Sequence, residues 1–115
     1  TGVQTCALPI YLVEAQALTA LFGADAIPPV CASKAMHGHL LGAAGAIEAA
    51  LCVASLARQT VPATPGHVPL DRRCAAVPVS TTARARPMRH ILSNSFAFGG
   101  TNASIVLSSS ATSRT

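Results

Sequence analysis

The sequence contains no tryptophan, one tyrosine and three phenylalanines in 115 residues, although half of its residues are apolar. Alanine, valine and leucine therefore supply most of the apolar side chains. Small side chains suit backbones that approach one another closely more than they suit a bulky, self-sufficient core. We expect one small domain, or a piece of a larger one, that buries its apolar faces best against other parts of a longer chain.

Acidic residues are also scarce, since four Asp and Glu stand against seven arginines and one lysine. Five arginines lie within 18 positions: Arg72, Arg73, Arg84, Arg86 and Arg89. No aromatic side chain lies among them, so the pattern does not favour a nucleic-acid partner. A solvated basic surface explains the stretch, and the functional alternative is attraction of an acidic partner protein.

The cysteines form no CxxC pair and no metal-type grouping with histidine; they are Cys6, Cys31, Cys52 and Cys74. This pattern predicts reduced, structural thiols in a cytoplasmic protein, and no metal site. No signal peptide is recognised. Residues 40–57 nearly reach the length of a membrane span, but they include Glu48 and two glycines, so we expect a buried helix and no membrane.

Residues 1–10 show neither helical nor strand periodicity. They resemble the translation of a short-read sequencing adapter, which would replace genuine upstream sequence. We therefore exclude them from the predicted fold as an artefact. The alternative is an ordinary N-terminal loop.

The rest of the chain alternates between helical and extended patterns. Apolar spacing predicts a helix over residues 11–22, ended by Gly23, and a second helix over 40–58 that is apolar all round apart from Glu48. Strands are predicted at 30–33, 76–81 and 90–96, and an extended segment at 60–64. A turn at 99–102 and a returning strand at 103–107 follow. This order predicts α/β layering.

Glu48 is the only charged residue between positions 43 and 57. A buried carboxylate has to be paired or neutralised, because unpaired burial of a charge is very costly. Lys34 is the only lysine of the chain and lies a short distance upstream. The sequence therefore predicts a Lys34–Glu48 ion pair.

His39 comes directly before a glycine-rich helix start. The positive end of a helix disfavours the imidazolium, so the ring stays neutral and can donate through one N–H. Such a donor in an apolar cavity stabilises an enolate or oxyanion. An isolated histidine of this kind is more often structural, so its assignment depends on Lys34, Glu48 and a second motif.

The second motif covers residues 94–102, Asn-Ser-Phe-Ala-Phe-Gly-Gly-Thr-Asn. Gly99 and Gly100 allow backbone conformations that other residues avoid. A backbone N–H beside such a turn can point into a cavity as an oxyanion donor, with Phe98 as an apolar gate. Taken alone, the pattern also describes a plain hairpin turn with core aromatics.

Together the segments 14–23, 34–48 and 94–102 resemble the β-ketoacyl synthase family of the thiolase superfamily, over residues 12–107. The resemblance implies an incomplete, C-terminal part of a thiolase-like layered αβαβα fold over residues 11–108, with a polar tail at 109–115.

The resemblance also implies roles for individual residues. His39 and Lys34 would be catalytic, and Glu48 would support Lys34. Phe98 and Gly99 would form an oxyanion hole or gate. His37 occupies a position where the family often has a small polar residue.

The implied reaction is a decarboxylative Claisen condensation of an acyl thioester with malonyl-acyl carrier protein in fatty acid biosynthesis. The parent would be a cytoplasmic acyltransferase, and a homodimer. The resemblance implies no metal or other cofactor, because the acidic acyl carrier protein brings the phosphopantetheine. The family's nucleophilic cysteine and first catalytic histidine lie upstream of this region, and Cys31 and Cys52 do not match that cysteine's context. We expect this chain alone to be inactive.

Other functions remain open at this point. A polyketide ketosynthase shares the motifs, as does the non-catalytic chain-length-factor subunit, although retention of Lys34, His39 and Glu48 argues against the latter. A thiolase shares a Gly-His-x-x-Gly element but lacks the lysine and the hairpin motif. A small binding domain with a basic face would fold stably as a monomer.

Overall fold

The computed structural model describes residues 2–5, 12–66 and 72–110. In these ranges the strands are β1 (Gly2–Thr5), β2 (Val30–Cys31), β3 (Thr60–Val61), β4 (Arg84–Ala85), β5 (His90–Phe96) and β6 (Asn102–Ser108). The α-helices are α1 (Leu12–Phe22), α2 (Lys34–His37) and α3 (Ala44–Arg58). Short 3-10 turns lie at Leu41–Ala43, Arg72–Cys74 and Phe98–Gly100. The mixture of helices and strands confirms the predicted α/β class.

The main sheet has the strand order β2-β1-β5-β6. Strand β1 pairs in parallel with both β2 and β5, whereas β5 and β6 form an antiparallel hairpin. The hairpin register joins His90 to Ser108 at one end and Phe96 to Asn102 at the other. Strands β3 and β4 form a separate antiparallel ribbon. The predicted strand at 90–96 and the returning strand at 103–107 are therefore confirmed, the latter one residue longer at each end.

Two apolar clusters cover the two faces of the main sheet. One combines Ala15 and Leu18 of α1 with Val30, and Leu92 of β5 packs against it. The other combines helix α3 with Ile91 of β5. Successive side chains of a strand point to opposite faces. Helices α1 and α3 therefore lie on opposite sides of the sheet, in a three-layered α-β-α arrangement.

The exclusion of residues 1–10 from the fold is wrong for Gly2–Thr5, which form β1 between β2 and β5. The physical reason is that both neighbours present backbone N–H and C=O groups towards the gap, and an extended segment satisfies them. Four residues are too few for sequence periodicity to reveal such a strand. The proposed adapter origin stays a prediction, and residues 6–10 lie outside the described ranges.

Helix α1 ends as predicted at Gly23, whose φ is 79° and whose N–H donates to the Thr19 carbonyl at 2.8 Å. Tyr11, the predicted first residue, lies outside the described ranges. Glycine reaches a positive φ without the Cβ clash that other residues suffer, so it is the favoured residue after a helix.

Helix α3 ends at Arg58, and Gln59 follows in a left-handed conformation with φ 50°. The Gln59 amide donates to the carbonyls of Leu56 at 2.7 Å and Met88 at 2.9 Å. The side-chain oxygen of Gln59, Oε1, accepts a hydrogen bond from the Met88 backbone N–H at 2.6 Å. The end of α3 is thereby tied to the segment that leads into β5.

The expectation that α3 would be buried all round is wrong for this chain. Its buried residues lie on one side: Ala44, Glu48, Cys52, Ser55 and Leu56. Val53 on the other side is 57% exposed. The sheet covers only one side of the helix, and the described residues provide no second layer beyond it.

The helix Leu41–Arg58 is long and apolar enough to cross a membrane, judged by length and composition alone. One such helix is weak evidence, because core helices of soluble proteins have the same properties.

The predicted strand at 76–81 is reduced to one isolated parallel bridge between Val30 and Val79. The Pro78 carbonyl accepts from the Val30 N–H at 3.0 Å, and the Ser80 N–H donates to the Val30 carbonyl at 2.8 Å. Pro78 has no N–H of its own, so it cannot donate to a regular ladder.

Candidate active site

The predicted Lys34–Glu48 ion pair is confirmed. Lys34 opens the short helix α2 directly after β2, and Glu48 lies on the inward side of α3. The Lys34 ammonium contacts Glu48 Oε1, and the Glu48 side chain has no solvent exposure. Mutual neutralisation is the condition under which two such charges can be buried.

Strand β5 brings a third polar group to this pair. The Ser95 hydroxyl lies 3.5 Å from Glu48 Oε2, in a geometry in which Ser95 donates. The neighbouring Asn94 is buried, and its Oδ1 accepts from the Ser104 hydroxyl at 2.8 Å. The two sequence motifs therefore meet through Glu48 and Ser95.

His39 lies in the exposed connection between α2 and the 3-10 turn Leu41–Ala43. Its Nδ1 accepts the backbone N–H of Leu41 at 2.9 Å. A ring nitrogen that accepts a hydrogen bond carries no proton, so the neutral ring bears its proton on Nε2. The donating group of the neutral tautomer is therefore Nε2–H. The predicted apolar cavity is not found around His39 among the described residues, because His39 is exposed.

Leu41 adopts a positive φ of 49°, which is uncommon for a residue with a branched side chain. Backbone strain of this kind occurs often at functional sites, where surrounding structure maintains it. Leu41 lies two residues after His39, and its backbone N–H is the one that donates to the His39 ring.

Phe98 and Gly99 lie in the turn between β5 and β6. Gly99 and Gly100 have φ values of 81° and 78°, which supports the glycine requirement inferred for this turn. The Phe98 ring is fully exposed, so it packs against neither His39 nor the ion pair in the described part of the chain. Its proposed role as a gate stays a prediction.

His37 contacts Ser33, with 3.1 Å between His37 Nε2 and the Ser33 hydroxyl oxygen. Ser33 is completely buried and immediately precedes Lys34. The histidine at position 37 therefore contacts Ser33, the residue directly before Lys34.

The buried cysteines Cys31 and Cys52 are not arranged as nucleophiles. Burial, together with the nearby Cys52, raises the pKa of the Cys31 thiol to about 12. Burial also raises the pKa of the Cys52 thiol to about 11. A hydrogen bond with Ser93 opposes this increase, and the Glu48 charge adds to it. Both groups are neutral thiols at physiological pH, and the thiolate is the reactive form.

The family model for "Beta-ketoacyl synthase, C-terminal domain" matches residues 12–67. A 3-oxoacyl-[acyl-carrier-protein] synthase 2 of Coxiella burnetii is 40% identical over 97 residues, which are 84% of this chain and 23% of the relative. The chain belongs to the β-ketoacyl synthase family.

A putative polyketide β-ketoacyl synthase 1 of Streptomyces cyaneus is 42% identical over 95 residues, covering 82% of this chain and 22% of the relative. The crystal structure of a β-ketoacyl synthase from Burkholderia phymatum superposes with a TM-score of 0.82 and 31% identity, over 92% of this chain and 26% of that one. The fold is therefore an incomplete part of the thiolase-like ketosynthase fold. This β-ketoacyl synthase chain spans about a quarter of the length of these relatives.

Two contacts of the site were not predicted from the sequence. Ser95 belongs to the motif at residues 94–102, but nothing in that motif indicates that its hydroxyl faces Glu48. The Leu41 N–H that binds His39 depends on a positive φ at a leucine, which no residue pattern predicts.

Proposed function

We propose that the protein to which this chain belongs condenses an acyl thioester with malonyl-acyl carrier protein in fatty acid biosynthesis. The observation that carries the proposal is the buried Lys34–Glu48 pair together with His39, whose Nδ1 accepts a backbone N–H and so leaves the proton of the neutral ring on Nε2. Membership of the β-ketoacyl synthase family supports the reaction class.

In the proposed reaction, the bond between the malonyl carboxylate and the α-carbon breaks and CO2 leaves. The electron pair remains as an enolate, whose oxygen accepts a hydrogen bond from His39 Nε2–H. The enolate carbon then attacks an acyl group held as a thioester on a nucleophilic cysteine, and the thiolate leaves. We expect that cysteine to be upstream of this chain, since Cys31 and Cys52 are buried thiols.

Lys34 and Glu48 act together in this proposal. The Lys34 ammonium provides a positive charge five residues before His39 in the sequence. Glu48 neutralises this charge, so that Lys34 can be buried. Phe98 and Gly99 are proposed as the gate and the oxyanion hole for the acyl thioester. Because the Phe98 ring is exposed, it is accessible to move against a bound acyl chain.

We propose an acyl carrier protein as partner, which supplies acyl and malonyl groups on phosphopantetheine, so that no further cofactor is needed. The name of the Coxiella relative, a 3-oxoacyl-[acyl-carrier-protein] synthase, supports this partner. Arg84, Arg86 and Arg89 are exposed and provide a positive surface for an acidic protein. A cytoplasmic homodimer that uses neither membrane nor nucleic acid completes the proposal.

The alternative is a polyketide ketosynthase, which the Streptomyces relative favours. Repeated condensation without reduction between the rounds would favour this alternative. A non-catalytic chain-length-factor subunit is less compatible with the chain, since Lys34, His39 and Glu48 are all retained.

The test is His39→Ala in the full-length protein, with malonyl-acyl carrier protein as substrate. Release of CO2 should be abolished, whereas transfer of the acyl group to the nucleophilic cysteine should continue, because His39 is assigned to the enolate step alone. Mass spectrometry of the acyl-enzyme and a CO2 assay separate the two steps.

The matched control is His90→Ala, which removes an exposed histidine whose Nδ1 contacts the Ser108 hydroxyl at 2.8 Å. This variant should decarboxylate at the normal rate. A normal rate of CO2 release in His39→Ala would show that the assigned role is wrong.

A further inference from the structure

We propose that Ser95 is a positioning residue for the Lys34–Glu48 pair and so connects the β5–β6 hairpin to the decarboxylation step. This inference rests on the proposed function. It adds a residue whose hydroxyl acts through Glu48 and does not itself touch the substrate.

Ser95 and Lys34 contact different oxygens of the Glu48 carboxylate. The ammonium contacts Oε1, and the Ser95 hydroxyl lies 3.5 Å from Oε2. A contact on the second oxygen adds to the restraint on the carboxylate plane that Lys34 imposes through the first. Ser95 therefore restrains the orientation in which Glu48 presents Oε1 to Lys34.

The surface of helix α3 leaves room for this contact. Gly45 lies almost one turn before Glu48, and a Cβ at Gly45 would come 4.0 Å from the Ser95 hydroxyl oxygen. Residues three apart are neighbours on a helix surface. A larger side chain at position 45 would therefore occupy the space beside the Ser95–Glu48 contact.

The position of Ser95 in the hairpin gives the contact a functional consequence. Ser95 pairs with Ala103 in the β5–β6 ladder, three residues before Phe98. The ladder is regular from His90 to Phe96, so the hairpin is a rigid support up to the Phe98–Gly100 turn. The hairpin consequently connects Phe98, the proposed gate, to the Lys34–Glu48 pair through Ser95.

The first experiment compares Ser95→Ala with Ser95→Thr in the full-length protein. Ser95→Ala should lower CO2 release from malonyl-acyl carrier protein about threefold, because a hydroxyl 3.5 Å from the carboxylate oxygen makes a long, weak hydrogen bond. Acyl transfer to the cysteine should be unchanged. Ser95→Thr keeps the hydroxyl and suits a strand, so it should restore the rate.

The second experiment tests whether Ser95 acts through Glu48. A double-mutant cycle with Glu48→Gln should show that Ser95→Ala lowers decarboxylation no further once the carboxylate is gone. Independent, multiplying effects would overturn the proposal. If Ser95→Ala does not fold, Ser95→Cys replaces it, because a thiol has similar size and is a weak donor.

Ser108→Ala is the matched control, since it removes a hydroxyl from the same hairpin at the end remote from Glu48. It should decarboxylate normally. A normal rate in Ser95→Ala or Ser95→Cys beside an inactive His39→Ala overturns the role of Ser95 alone, whereas a normal rate in His39→Ala overturns the proposed function.

Discussion

Glu48 is the residue that organises the site, because it has no exposure and meets both Lys34 and Ser95. A carboxylate in this position is stable only while its partners remain, since breaking a buried pair leaves an uncompensated charge. The same charge raises the pKa of the nearby Cys52 thiol, after the larger effect of burial. Glu48 and Cys52, both buried residues of α3, therefore interact electrostatically.

The raised pKa of Cys31 predicts a pH dependence of stability. The unfolded thiol titrates near 9.0 and the folded thiol near 12, so between these values the folded state keeps a proton that the unfolded state loses. Stability from this group is complete below pH 9.0 and falls as the pH rises. At pH 10 the loss should be about 1.4 kcal/mol.

Urea unfolding of the full-length protein at pH 8 and pH 10 measures this loss. Cys31→Ala should lose less stability between the two values than the unsubstituted protein. Equal losses in both proteins would contradict the prediction.

At the level of secondary-structure elements, the turn of the β5–β6 hairpin and the 3-10 turn Leu41–Ala43 differ in whether they require glycine. Gly99 and Gly100 have positive φ values in the hairpin turn, where a Cβ meets no neighbouring atom within 4 Å but is strained by the backbone conformation. Gly42 also has open space around it, yet its φ is not positive. Gly42 therefore differs from Gly99 and Gly100 in backbone conformation and not in the space available for a side chain.

Gly99→Ala should therefore destabilise the protein by about 1 kcal/mol, the order of magnitude for a Cβ forced into a positive φ. Gly42→Ala is the matched control and should be neutral or slightly stabilising, because alanine restricts the unfolded chain more than glycine does. Thermal unfolding of the two variants in the full-length protein measures the difference. Equal effects would show that the turn tolerates a side chain.

At the scale of the whole molecule, a large apolar surface is exposed. Val13 and Leu21 of α1 are 75% and 67% exposed, Val53 of α3 is 57% exposed, and Val106 of β6 is 64% exposed. Exposed apolar side chains on both helices and on the edge strand are typical of faces that pack against further protein. Relatives about four times as long are consistent with such additional layers.

The isolated 115-residue chain is therefore expected to be poorly folded and inactive. It should lack a sharp cooperative thermal transition by circular dichroism and bind a dye specific for exposed apolar surface. It should also produce no β-ketoacyl product from malonyl-acyl carrier protein. Sharp cooperative unfolding together with condensing activity would contradict this expectation.

Elements with local residue patterns could be predicted from the amino-acid sequence. Helical spacing predicted α1 and α3, alternation and two glycines predicted the β5–β6 hairpin, and the cost of an unpaired buried charge predicted the Lys34–Glu48 pair. Each of these depends on periodicity, on backbone conformation or on a single lysine available to a single buried acid. Such causes can be read without knowing what lies across the fold.

The remaining features depend on how distant segments pack together. Strand β1 exists because two other strands leave a gap, and Ser95 meets Glu48 because the hairpin packs on α3. One side of α3 is exposed because the main sheet packs only on the other side and the described residues provide no further layer. The tautomer of His39 likewise depends on the backbone of Leu41. These outcomes follow from the relative placement of distant segments, which no local pattern of residues specifies.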